Sequence, residues 1–205
     1  MALKATARLL ITGGAGLGVT AVPLVGFFWA GWTPATAMVL YLLENLLGAG
    51  LVVLRVQLLR PRAARIDRYE ASQRREWIQT YLLVVGAFSA GCALFMSAFL
   101  FLIMRLPLEL TTLRAGLANI SIFLLIGFIA DLLLGHPLDL AGVEACYKRS
   151  LGRVCLLFLS VFIGIWLAAI REPWFLLPFV FLKTMADLDE PLQWVVVRVQ
   201  QVRST

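Results

Sequence analysis

The stretch "PATAMVLYLLENLLGAGLVVLRVQLL", Pro34 to Leu59, decides the fold class of this chain. It is almost entirely apolar, and as a helix rising about 1.5 Å per residue it is long enough to cross a hydrocarbon layer of roughly 30 Å. A helix also satisfies its own backbone hydrogen bonds, as the interior of a bilayer requires. The stretch therefore predicts a transmembrane helix, and one that carries Glu44 and Asn45 near its middle.

Apolar runs of this kind recur along the whole chain, in which 61% of the residues are hydrophobic and 15% are charged. That composition lies far outside the usage of soluble domains. It predicts an all-α fold, a polytopic helical membrane bundle in which residues 1–205 form a single integral membrane domain. We expect six transmembrane helices, at about residues 9–29, 34–59, 77–104, 113–134, 151–170 and 174–192.

The distribution of basic residues predicts the orientation of this bundle. Short loops rich in lysine and arginine are retained on the cytoplasmic side of the membrane. If the N-terminus lies inside, the outer side carries only Arg105, Arg114 and Arg171, and nearly all other basic residues fall on the inner side. The pattern predicts a multipass protein of the cytoplasmic (inner) membrane with both termini in the cytoplasm.

The connection "RPRAARIDRYEASQRREW" after the second predicted helix is the most basic part of the chain. Positive-inside retention alone explains it as a topological anchor. A second interpretation is contact with anionic lipid headgroups at the cytoplasmic face, since each basic residue near such a surface contributes about 1 kcal/mol. The candidate lipid contacts are Arg60, Arg62, Arg65, Arg68, Arg74 and Arg75. Nucleic acid is not an expected partner, because the pI of about 9.7 reflects membrane topology.

Glu44 points to an intramembrane polar cluster. Ionisable groups inside a span are costly and turn toward protein or water. Counted from the same surface, Glu44 and Lys183 both lie about 13 to 15 Å deep, and an isolated charge at that depth would neutralise. We therefore expect a Glu44–Lys183 pair, with Asp187 one turn beyond Lys183 and Asn45 in the same cluster.

A second polar pair is predicted nearer the cytoplasmic boundary. Arg55 and Asp131 both lie near the inner ends of their predicted helices, so they approach a common depth there. Water is available at that depth, so pairing is optional.

Catalytic chemistry finds no support in the sequence. Ser89 in "AFSAG" would need a base, and the one histidine, His136, belongs to an inner-side segment at a different depth. The three cysteines lack Cys-x-x-Cys spacing and suggest neither a metal site nor disulfides. The chain is predicted not to be an enzyme, with no catalytic residues, no metal and no cofactor.

Several of these residues carry a resemblance, namely Gly31-Trp32, Tyr41, Glu44-Asn45, Gly48, Lys183-Thr184 and Asp187. The set resembles an uncharacterised family of multipass membrane proteins found in bacteria and archaea. Its members show a Gly-Trp, a Tyr-Trp-x-Glu-Asn core and a terminal Lys-Thr-x-x-Asp, and Leu42 stands here in the place of the family's tryptophan. The resemblance implies an architecture and the importance of the polar cluster, but no reaction.

Two functions fit these features. As an accessory or structural subunit of a membrane assembly, the chain would use the cluster of Glu44, Asn45, Lys183 and Asp187 to fix helix register. Its outer faces would then bind another membrane protein or a second copy of itself. The alternative is a small homo-oligomeric transporter or channel that uses the same midplane cluster for a proton or a small polar solute.

Overall fold

The computed structural model describes residues 2–58, 68–103, 105–134 and 140–168, together with residues 178, 181–182 and 185. These residues contain no strand, and the expectation of an all-α fold is confirmed for them. The helices are α1 (Ala2–Phe28), α2 (Pro34–Leu58), α3 (Arg68–Ser97), α4 (Leu110–Leu134) and α5 (Leu140–Ala168). A six-residue π-helical segment, Ala98–Ile103, continues α3.

Four stretches of the described residues are long and apolar enough to cross a membrane: Leu10–Phe28, Pro34–Leu58, Ala71–Leu102 and Leu110–Leu134. They coincide with the first four predicted spans, so the prediction of helices that are long and apolar enough to span a membrane is confirmed at these places. The fifth predicted segment lies in α5 as far as Ala168. The sixth, at residues 174–192, lies outside the described residues except at four isolated positions. Six spans, an inner-membrane location and cytoplasmic termini remain predictions.

Helix α2 lies at the centre of the bundle. It contacts the other four helices, whereas α1 packs chiefly against α4 and α3 chiefly against α5. From Ala35 to Leu42 every residue is buried except the half-buried Val39. The first two turns of α2 therefore present no side to lipid, which is why this helix is apolar on all faces near its start.

Contacts between side chains show that the helices alternate in direction. Along α3 and α5 the ring pairs Tyr81–Tyr147, Phe88–Phe158 and Phe95–Phe162 ascend together, so these two helices are parallel. Along α1 and α4 the order is reversed, with Ala15 near Gly127 and Gly18 near Phe123. This alternation is the arrangement expected if each helix crosses the membrane once.

A glycine cap ends α1 and turns the chain into α2. Gly31 has a positive φ of 69°, and the Trp32 N–H donates to the Gly26 carbonyl over 3.0 Å, six residues back. The chain leaves α1 through a left-handed residue, a conformation in which glycine carries no steric penalty. The turn folds the Trp32 ring over Gly26 of α1 and against Gly116 of α4.

Threonine side chains fasten the start of α2 to the connection before α4. Thr33 caps α2, because its Oγ1 accepts the Thr36 N–H over 3.2 Å while its hydroxyl donates to the Pro107 carbonyl over 3.0 Å. The Glu109 N–H donates to Thr36 Oγ1 over 3.3 Å. We call this end of the bundle the Thr33 end, and the opposite end, where α2 finishes, the Arg55 end.

Candidate functional site

Glu44 lies in the interior of the protein, where 8% of its surface is exposed. It follows Tyr41 by three residues and so shares its face of α2. Tyr41 is 1% exposed and belongs to a core cluster that includes Cys92 and Met96 of α3. The carboxyl group is thus carried on the side of α2 that faces protein rather than lipid.

Of the other three residues of the predicted cluster, the structure describes Asn45 but not Lys183 or Asp187. The half-buried Asn45 donates from Nδ2 to the Tyr41 carbonyl over 2.9 Å, within its own helix. This bond to the preceding turn fixes the orientation of the amide. Lys183 and Asp187 lie outside the described residues, so their pairing with Glu44 remains a prediction.

Arg55 and Asp131, the second predicted pair, are brought together. Arg55 Nη1 lies 2.9 Å from Asp131 Oδ2, and the two side chains are 19% and 15% exposed. The bond joins the last turn of α2 to the last turn of α4. It is an interhelical ion pair in a partly buried setting, where it restricts how these two helices can slide past each other.

The adjacent residues Arg74 and Arg75 have different surroundings. Arg75 is exposed, as a contact with lipid headgroups requires. Arg74 is only 5% exposed, and its Nη1 donates to the Val56 carbonyl of α2 over 3.2 Å. That carbonyl belongs to the last turn of α2. The final four carbonyls of a helix accept no hydrogen bond from within the helix, and they lie at the negative end of its dipole.

The remaining arginines of the predicted lipid contact are only partly described. Arg60, Arg62 and Arg65 lie outside the described residues, and for Arg68 the structure gives its place at the start of α3 but no side-chain surroundings. The prediction of contact with anionic headgroups therefore stays open for these four. Arg74 was predicted to face the headgroups, whereas the structure places its guanidinium against protein.

An apolar groove opens near the Arg55 end between α2, α3 and α5. Its empty space, including the part that is open to the surroundings, is about 270 Å³, and valines of α2 together with Trp77, Tyr81 and Tyr147 line it. Tyr81 shares a 2.6 Å hydrogen bond with Ser150, which ties α3 to α5 below the groove. The sequence analysis missed this aromatic cluster, although Trp77 and Tyr81 share one helical face.

The spacing of Gly14 and Gly18 predicts a surface on which a neighbouring helix packs closely, and among the described residues the structure places the Phe123 ring of α4 against Gly18 but nothing against Gly14. A Cβ atom on Gly116 would lie 2.6 Å from Leu40 Cδ1 and 2.9 Å from the Trp32 ring, and one on Gly18 would lie 2.6 Å from the Phe123 ring. Real Cβ contacts are essentially never this short. The Gly-Trp pair was the signal available in the sequence, but nothing in it indicated the partner glycine on α4.

Long apolar helices that alternate in direction around a central helix with buried polar groups define a helical membrane protein. Arg55, Arg74 and Tyr81 each bind a side chain or a backbone carbonyl of a neighbouring helix. The chain belongs to the family of unknown function DUF6498, which matches it over residues 3–204. The prediction of an uncharacterised family is thereby confirmed. No curated protein and no solved structure shows significant similarity to the chain.

Proposed function

We propose that the protein is a structural or accessory subunit of a membrane assembly, in which α2 holds the surrounding helices in register. Dense packing around the first half of α2 carries this proposal. The buried residues from Ala35 to Leu42 separate Glu44 from the Thr33 end of the bundle. A solute or a proton wire would need a hydrated route past them, whereas a subunit that positions helices needs this packing to be closed.

Polar contacts at the Arg55 end support the same role. Arg55 binds Asp131 of α4, and Arg74 of α3 binds the Val56 carbonyl of α2. Each bond has one partner on α2, so α2 is fixed along its axis relative to two neighbours. Polar groups buried between helices are best attested as devices that set register.

One outward surface suits the approach of a helix from another membrane protein. Gly86, Ala87, Ala90 and Gly91 of α3 are all exposed, and a Cβ atom on either glycine would meet nothing within 4 Å. Inside the bundle, by contrast, side chains from other parts of the chain occupy the space beside Gly18 and Gly116. Small residues let transmembrane helices approach closely, and we name these four residues the α3 small face.

The subunit role is tested by gentle purification of the full chain and identification of the membrane proteins that remain bound. We expect one in stoichiometric amount, and we expect Ala90→Leu on the α3 small face to lower its recovery several-fold. Ala21→Leu, at an exposed position of α1, is the matched control and should leave the recovery unchanged. Purification without any other membrane protein would overturn the subunit role.

The second candidate is a transporter, and the observation that favours it is the carboxyl group of Glu44 within a candidate span. The purified protein in liposomes containing a pH-sensitive dye provides the test. Proton flux that depends on the protein and that is abolished by Glu44→Gln would replace the subunit role with transport. Unchanged flux in the variant would exclude this use of Glu44.

A further inference from the structure

Helix α4 is the least covered of the four candidate spans. Within the chain 11% of its most apolar window is buried, against 22% to 33% for the other three. Its buried residues are Gly116, Ile120 and Ala130, which face α1 and α2. Among the described helices, α1 and α2 pack extensively against α4, and the side of α4 next to these contacts and beyond them is exposed.

That side carries a regular seam of exposed residues. Their spacing alternates between four and three, which is the repeat of about 3.5 residues that aligns one helix with another in a coiled coil. The members are Ala115, Asn119, Ile122, Ile126, Ile129 and Leu133, all of them exposed. We name them the Asn119 seam.

Asn119 is the polar member of this seam and lies deep in the membrane. It comes nine residues after Leu110, the first residue of α4, which places it about 13 Å along a span of roughly 30 Å. The side chain is exposed, and no described residue forms a hydrogen bond with its amide. An amide facing hydrocarbon loses the hydrogen bonds it makes in water, so it requires a partner within the membrane.

We infer that the Asn119 seam binds the same seam of a second copy of this chain. Two copies inserted in the same orientation have parallel α4 helices, so Asn119 meets Asn119 at one depth. A carboxamide carries both donors and an acceptor, and the two amides donate to each other across a twofold axis. A charged side chain at this position would repel itself, which makes the amide the group suited to self-pairing.

The flanking residues complete the contact. Ile122 and Ile126 are 56% and 44% exposed in the single chain, and they follow Asn119 at the spacing of packed coiled-coil positions. A single asparagine in such a seam fixes both register and partner number. This interface lies on a different helix from the α3 small face, so it does not depend on the proposed function.

Cysteine crosslinking in native membranes tests the inference. In the full chain with Cys92, Cys146 and Cys155 replaced by alanine, we expect Ile122→Cys and Ile126→Cys to form disulfide-linked dimers when oxidised. Ser121→Cys and Leu125→Cys are exposed positions of α4 outside the seam, and they should give at least tenfold less dimer. Equal yields at all four positions, or a product that contains a different protein, would overturn the inference.

A second set of variants tests the amide itself. Asn119→Leu, combined with Ile122→Cys, should weaken association at least about three- to tenfold, because both hydrogen bonds between the two amides are lost. Asn119→Gln keeps a carboxamide and should retain most of the dimer. Dimer yields that stay unchanged in Asn119→Leu would overturn the pairing of the two amides.

Discussion

At the scale of single residues, the Trp32 ring is the feature that joins three helices. It follows the glycine cap of α1, lies over Gly26, and reaches Gly116 on α4. From the sequence alone, Trp32 is expected to lie at the membrane interface, as tryptophan commonly does. Its packing could not be predicted, because Gly26 and Gly116 are far apart in sequence and neither has a side chain that signals a contact.

Replacement of Gly116 by alanine tests this packing. The added methyl group would overlap Leu40 and the Trp32 ring, both of which belong to a filled interior, so we expect Gly116→Ala to lower stability by about 1 to 3 kcal/mol. Gly50→Ala is the matched control, since a Cβ atom there meets nothing within 4 Å and should change stability by less than about 0.5 kcal/mol. Thermal unfolding in detergent measures both. Equal losses in the two variants would contradict the proposed contact.

The charge pair predicted at midplane gives a second test at this scale. If Glu44 and Lys183 form a buried pair, Glu44→Gln and Lys183→Met should each cost about 3 to 5 kcal/mol, because one charge is left without its counterion. The double variant should recover part of the loss. A double-mutant cycle on unfolding free energies measures this coupling. Strictly additive losses would show that Glu44 and Lys183 do not form a pair.

At the scale of helices, hydropathy predicted positions well where the whole helix is apolar. The predicted span at residues 34–59 differs from α2 by one residue. Helices α3 and α5 instead begin about ten residues before their predicted spans, at Arg68 and Leu140. The parts of α3 and α5 that precede the predicted spans carry several charged residues, and a search for apolar runs detects only the part of a helix that suits hydrocarbon.

The polar start of α3 contains its own test. Arg74→Gln removes a cation from the last turn of α2 and a charged hydrogen bond from a buried position, so we expect a loss of about 1 to 3 kcal/mol. The neighbouring Arg75→Gln changes the same charge at an exposed position and should lie within about 0.5 kcal/mol of the parent. Unfolding of the two variants in detergent compares them directly. Loss of stability in Arg75→Gln alone would reverse the assignment.

The end of α3 was not foreseen at all. The chain adopts a π-helical turn at Ala98–Ile103, the Leu106 N–H reaches back to the Leu100 carbonyl over 2.9 Å, and Arg105 has a positive φ of 51°. The apolar run to Met104 predicted an ordinary helix. Widened turns of this kind are rare insertions in α-helices, and an apolar run carries no signal for them.

At the scale of the whole molecule, the positions of the four candidate spans along the chain were more predictable than the arrangement of the helices. Charge inside a span indicated Glu44 as interior and matched Arg55 with Asp131 by depth, since both inferences need only position along a helix. The central position of α2 in the bundle could not be predicted from the sequence. In a membrane the lipid-facing and protein-facing sides of a helix are both apolar, so sequence does not separate them.

The orientation of the molecule can be tested with single cysteines in a cysteine-free chain. Ser72 and Lys148 are exposed near the first turns of α3 and α5, which are parallel, and positive-inside retention places both in the cytoplasm. We expect Ser72→Cys and Lys148→Cys to react with a membrane-impermeant thiol reagent only after the membrane is opened. Leu108→Cys, at the Thr33 end, should react in intact cells. Labelling of Ser72 and Lys148 from opposite sides would refute the alternating arrangement.

The turn between α1 and α2 also bears on how the protein is made. Its backbone bonds, and the bond from the Thr36 N–H to Thr33, lie within residues 25–37, so we expect these contacts to form before the ribosome has synthesised α4. The Trp32 ring is then already in place on Gly26, with its other side open. Helix α4, arriving later, docks its Gly116 onto a surface that is already built. We therefore expect the order of assembly to follow the order of synthesis, with the indole ring as the surface against which Gly116 of α4 packs.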